Sequence, residues 1–231
     1  DFETDPEYQA AVFDTYPEHL RHEVLWPTIG NHDAASADSA TQTGPYYDVF
    51  TLPASAQAGG LASGTEAYYS FDYANIHFIC LDSMTATNRS ANSVMLQWLT
   101  LDLQNLPASQ KWIIAYWHHP PYSFSGHNSN TEQQMVDMRT NFLPLLEQYG
   151  VDITYTGHSH DYERSYLIDS AYGNSTDNNS KKARIILDNK SGNPATTGPY
   201  RKPSMKGAHE GAVHMVAGSS AKLDPVTAAH P

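Results

Sequence analysis

The chain has 231 residues, 40% of them hydrophobic and 11% aromatic, enough apolar mass for one packed domain. Its formal charge is −12 with only 13 Lys and Arg, which argues against a nucleic-acid backbone or an anionic membrane as a main partner. No run approaches the roughly 20 apolar residues of a membrane span, and the single Cys80 excludes an internal disulfide or a cysteine-based zinc cage.

Residues 5–21 read as a helix: Asp5 is placed to cap it, Pro6 suits its first turn, and Tyr8, Val12, Tyr16 and Leu20 recur every four residues. "VLWPTIG" (Val24 to Gly30) reads as a short strand that hands Asn31, His32 and Asp33 to a loop. Residues 36–66, rich in Ala, Ser, Gly and Thr, read as a long surface loop beside the site. "AYYSFDYANIHFICLDS" predicts a hairpin turning at Ala-Asn, with Cys80 as a buried, inert thiol. "NSVMLQWLTLDLQNLP" predicts a helix capped at Asn92 or Ser93, with Met95, Leu99, Leu103 and Leu106 inward and Pro107 as its stop. "KWIIAYWHH" predicts a strand. Residues 131–149 predict a second helix on Met135, Met138, Phe142, Leu145, Leu146 and Tyr149, closed by Gly150. "VDITYTGHSH", "ARIILDN" and "GAVHMVAGSS" complete the strands, with the polar excursion "YGNSTDNNSKK" between the first two.

Strands alternating with helices predict a layered α/β fold, in which sites gather beyond the carboxyl ends of strands. Three polar clusters occupy that position: "GNHD", "WHHPPY" and "TGHSH". Neutral imidazole is a common ligand for zinc, iron and manganese. An i, i+2 pair such as His158 and His160 can grip one ion or aim at two, and Gly157 is placed to turn the backbone between strand and pair. Adjacent residues on a strand face opposite ways, so one of His118 and His119 is expected to enter a site. His32 is suited to carry a proton and Asp33 to orient its ring. Glu163 and Arg164 read as an ion pair framing the loop, His77 and His214 as packing residues, and His19, His22, His209 and His230 as isolated.

"GNHD", a strand ending in His118, and "GHSH" occur in the order seen in calcineurin-like metallophosphoesterases, and "HHPPY" with "GHSHDYERS" resembles the purple acid phosphatase branch from about Pro6 to Ser220. The resemblance implies an α/β/β/α sandwich. It implies Asn31, His118 and His158 as ligands of one metal and His160 of a second. His32, oriented by Asp33, would contact the phosphoryl group and assist the leaving group, and His127 would face substrate. It implies hydrolysis of small phosphate monoesters, iron paired with zinc, manganese or iron, and a secreted or periplasmic home. The scaffold also admits a phosphodiesterase, a nucleotidase or a non-catalytic binding module.

The chain departs from the family pattern in lacking D-x-G and G-D-x-x-Y ahead of "GNHD". "TDPEY" has D-x-x-Y spacing, but without a preceding Gly and apolar strand it reads as a decoy, with Asp5 a helix cap. The chain therefore reads as a single catalytic domain over residues 1–231 trimmed at both ends and incomplete on its N-terminal side. Metals about 3.5–4 Å apart repel without a bridging carboxylate, so one ion or none is expected here, with self-association through an exposed sheet edge.

Overall fold

The expected hairpin forms: β1 (Tyr69–Tyr73) and β2 (Ile76–Cys80) pair antiparallel around Ala74, whose φ of 53° makes the tight turn. The computed structural model describes residues 4–123, 125–178, 185–220 and 222–225. Parallel to β2 run β3 (Trp112–Tyr116), then β4 (Ile153–Thr156), then β8 (Val213–Ala217), and antiparallel β5 (Tyr162–Arg164) closes the far edge. The six-stranded sheet has the order β1-β2-β3-β4-β8-β5. A second sheet has two strands, β6 (Leu167–Ile168) and β7 (Ile186–Asp188); the first two residues of "ARIILDN" lie outside the described residues. The fold is α/β, as expected.

Both faces of the sheet are covered, which the parallel centre requires. On one face, Met95, Trp98, Leu99 and Leu103 pack with Ile113, Met138, Phe142 and Leu146. The other face carries Tyr8, Ile29, Tyr46, Tyr69 and Phe71 around Cys80. Burial pushes the Cys80 thiol up to about 12, so it stays protonated and inert.

The N-terminal helix is shorter than its periodicity suggests. Helix α1 (Asp5–Tyr8) continues as a π-helical turn, Gln9–Phe13, and α2 (Pro17–Leu20) follows after a break at Tyr16. Pro17 imposes that break, because the residue before a proline is pushed out of helical geometry. Thr4, not Asp5, is the N-cap, in a capping box with Glu7. Residues 24–30 run extended but outside the sheet: Pro27 has no N–H for a ladder, and its carbonyl accepts from Tyr46 and Tyr69 hydroxyls instead.

The second predicted helix also divides, into α3 (Gln133–Asp137), a π-helical turn Met138–Phe142, and α4 (Leu143–Gln148). Pro144 denies the Thr140 carbonyl its ordinary donor, a common cause of such a turn. The helix Val94–Gln104 matches its prediction, with Ser93 Oγ accepting from the Leu96 N–H.

Candidate metal centre

The centre forms where β3 and β4 end. β3 stops at Tyr116 and β4 at Thr156, so His118 and residues 157–160 leave the sheet side by side, tied by the Gly157 N–H to His118 carbonyl bond. The extended segment before Gly30 brings the Asn31 loop over them. A side chain at Gly30 would meet the His118 ring at 3.0 Å, so glycine is needed for close approach and not for an unusual φ. Asp33 fastens the turn, accepting from the Gly30 N–H at 2.7 Å and from the Tyr8 hydroxyl.

His118 Nε2 lies 2.7 Å from Asn31 Oδ1 and 3.1 Å from His158 Nδ1. These residues are 87 and 40 positions apart in sequence. Ligand bonds of about 2.1 Å set neighbouring donor atoms about 3 Å apart around a six-coordinate ion, so the donor set fits a divalent cation. Burial, reinforced by neighbouring histidines, lowers His118 to about 3 and His158 to about 4; both rings are neutral and keep a lone pair near pH 7.

The backbone turn falls on His158 itself, with φ +66°, and not on Gly157 as expected. A non-glycine residue in that region is a local strain that concentrates at functional sites. Ser159, between the two histidines, is buried with its hydroxyl 2.6 Å from Ser123 Oγ. His160 is near enough for its charge to bear on both His118 and His158, and its Nδ1 lies 3.1 Å from Asp224.

His127 joins this group: its ring stacks on His158 at 3.7 Å, and its Nδ1 lies 3.0 Å from Glu132. His32 is exposed at the rim, close enough for its charge to bear on His118. Asp5 is exposed on α1, consistent with the decoy reading of "TDPEY", whereas Tyr8 is buried against Asp33.

Two residues of the centre escaped the sequence. His119 packs its ring 4.4 Å from His158 and 4.9 Å from His118, with its Nδ1 3.0 Å from Ser83 Oγ. Strand alternation did not separate the two histidines, because the strand ends before either. Glu132 stands 3.4 Å from His158 Nε2, the nitrogen opposite the one that faces His118. A carboxylate there favours the tautomer with the proton on Nε2 and leaves the Nδ1 lone pair free. Its position as the residue before α3 was the available signal. Glu163 and Arg164 do not frame the loop as a pair: Glu163 accepts from Ser123, and Arg164 donates to the Ser191 carbonyl. Neighbours on β5 face opposite sides.

The model of the calcineurin-like phosphoesterase family matches residues 4–162. The chain belongs to that family. Among its relatives, purple acid phosphatase 23 from Arabidopsis thaliana is 36% identical over 141 residues, covering 60% of this chain and 29% of the relative. The phosphoenolpyruvate phosphatase of Allium cepa is 30% identical over 161 residues, 67% of this chain and 31% of its own length. The yellow lupin purple acid phosphatase PPD1 superposes with a TM-score of 0.53 at 20% identity, covering 86% of this chain and 29% of that one. The chain thus spans under a third of each of these relatives. Divalent metals belong to the chemistry of the family, and the histidine groups are candidate donors for them in this chain.

Proposed function

We propose that this chain carries the histidine wall of a centre that hydrolyses small phosphate monoesters. Asn31, His118 and His158 hold one divalent cation, and His160 belongs to a second. The observation that carries this reading is that Asn31 Oδ1 and His158 Nδ1 both come within about 3 Å of His118 Nε2. The purple acid phosphatases among the relatives support a phosphatase, and the motif resemblance brings with it a monoester and an iron–zinc, iron–manganese or di-iron pair. Export from the cell belongs to the same resemblance; among the described residues no helix is long and apolar enough to cross a membrane.

A cation held there supplies positive charge to phosphoryl oxygens and makes water acidic enough to attack near neutral pH. The protein's own groups do the rest. Glu132 holds His158 in one tautomer, Asp33 pins the Asn31 loop, and Gly30 lets that loop reach His118. His32 and His127 flank the ligands, placed to stabilise a phosphoryl group and to give a proton to the departing alcohol. The bound cation also offsets the acidic surface, which by itself repels a phosphate ester.

Among the described residues, the donor group of His118, His119 and His158 holds no carboxylate, and the neighbouring group of His127, Glu132 and His158 brings one only to the far nitrogen of His158. Without a carboxylate on the His118 side to bridge two ions, a single ion on Asn31, His118 and His158 is the occupancy that a titration should count at this centre, with the ion at His160 held too weakly to register. Calorimetric titration with zinc is expected to show one ion that disappears on His118→Ala. Loss of two tightly held ions with that one substitution, or of none, overturns the reading. Faster turnover of bis-p-nitrophenyl phosphate than of p-nitrophenyl phosphate would replace the monoester with a diester.

A further inference from the structure

A second group of donors lies at the other end of β4, where the chain enters that strand. Glu147 at the end of α4, Asp169 beyond β6 and His209 ahead of β8 each bring one ligand atom to within 4.8 Å of the others. Glu147 is 2% exposed and Asp169 8%, and among the described residues neither carboxylate has a Lys or Arg partner. The nearby Lys202 is committed to the Gly150 and Val151 carbonyls and to Asp152.

The hydrogen bonding is one-sided. Glu147 Oε2 accepts from the Ser170 N–H and the Tyr172 hydroxyl, whereas Glu147 Oε1 is buried without a hydrogen-bond partner. His214 Nε2, also buried and unpartnered, faces that oxygen from 4.0 Å. Two orphaned polar atoms buried side by side are costly unless something else satisfies them. The backbone is already arranged around the gap: the His209 N–H donates to the Glu147 carbonyl at 2.9 Å, and Asp169 lies 3.2 Å from the His209 ring.

We infer that Glu147, Asp169 and His209 form a structural site for a divalent cation, separate from the histidine centre. Two carboxylates and one imidazole suit Zn²⁺ or Mn²⁺ better than an all-oxygen Ca²⁺ cage. A cation there joins the end of α4 to two segments far along the chain, and it gives Glu147 Oε1 the partner it lacks. This inference does not depend on the phosphatase reading.

The test counts ions in the whole chain. His209 is exposed, so His209→Ala is expected to keep the fold, checked by circular dichroism. Zinc titration of the natural chain should show two ions. His209→Ala should lose one of them and keep the other, which His118→Ala removes. Zinc should also raise the melting temperature of His118→Ala by several degrees, and this rise should vanish when His209→Ala is added. Retention of both ions in His209→Ala, or a melting temperature of His118→Ala that zinc leaves unchanged, overturns the site.

Discussion

His77 lies on β2 and His118 just beyond the neighbouring β3; each is largely removed from water, and the protein shifts their pKa values in opposite directions. His77, on β2, is 1% exposed and lies between Asp72 at 2.8 Å and Asp102 at 2.9 Å. Burial acts to lower its pKa, but the hydrogen bonds and charges of Asp102 and Asp72 outweigh it, and the net shift is upward. His118, just past the end of β3, faces Asn31 and other histidines, and burial drives it down to about 3. What decides between an ion-paired brace and a waiting ligand is the group that faces the ring, not its depth.

The comparison predicts that the two residues fail in different ways. His77→Ala leaves two carboxylates without their partner and should cost about 3–5 kcal/mol of stability by urea denaturation, with zinc affinity per folded molecule unchanged. A parallel loss of zinc binding in that variant would mean that the brace also shapes the centre. His118→Ala should do the reverse. Zinc affinity should fall about 100-fold or more, beyond what outer-shell losses produce, while the urea midpoint stays close to that of the natural chain.

The pH dependence sharpens the contrast. His77 has a folded-state pKa above its unfolded value of 6.5. Its stabilising contribution is therefore complete below pH 6.5 and fades as pH rises through the folded value. That loss should reach at most about 1.4 kcal/mol per pH unit, and it should be absent from His77→Ala. A slope that persists in the variant would place the titration elsewhere. The smallest expected effect is at Gly30. A methyl there meets the His118 ring, and Gly30→Ala should weaken zinc by about five-fold, the lower end of the cost of overpacking. An unchanged affinity would show that the Asn31 loop can retreat without cost.

Sequence reading reached the elements that carry strong local signals. Ser93 as a cap, the Ala74 turn, and the apolar faces of the helices around Leu99 and Phe142 were legible because each depends on near neighbours. Breaks forced by tertiary demands or by prolines within a periodic run were not: the π-helical turn ahead of Pro144 and the bend at Tyr16 interrupt patterns that read as continuous. Residues 24–30 look like a strand by composition, yet the Pro27 carbonyl serves two tyrosine hydroxyls across the core. Within the centre, Asn31, His118 and His158 stood out because polar clusters at strand exits are conspicuous. Glu132 and His119 did not, because their roles arise from contacts with rings tens of residues away.

The sequence alone determined which residue types were on offer: three histidine-bearing exits, an acidic surface and a run of alternating elements. It also fixed the order of the motifs that the family shares. Only the tertiary structure decided which nitrogen of His158 faces His118, that His209 finds Glu147 and Asp169, and that His77 is braced rather than poised. Such outcomes follow from strand order and from the loops that cross between strands. These bring distant side chains within about 3 Å, the scale on which hydrogen bonds and coordination act.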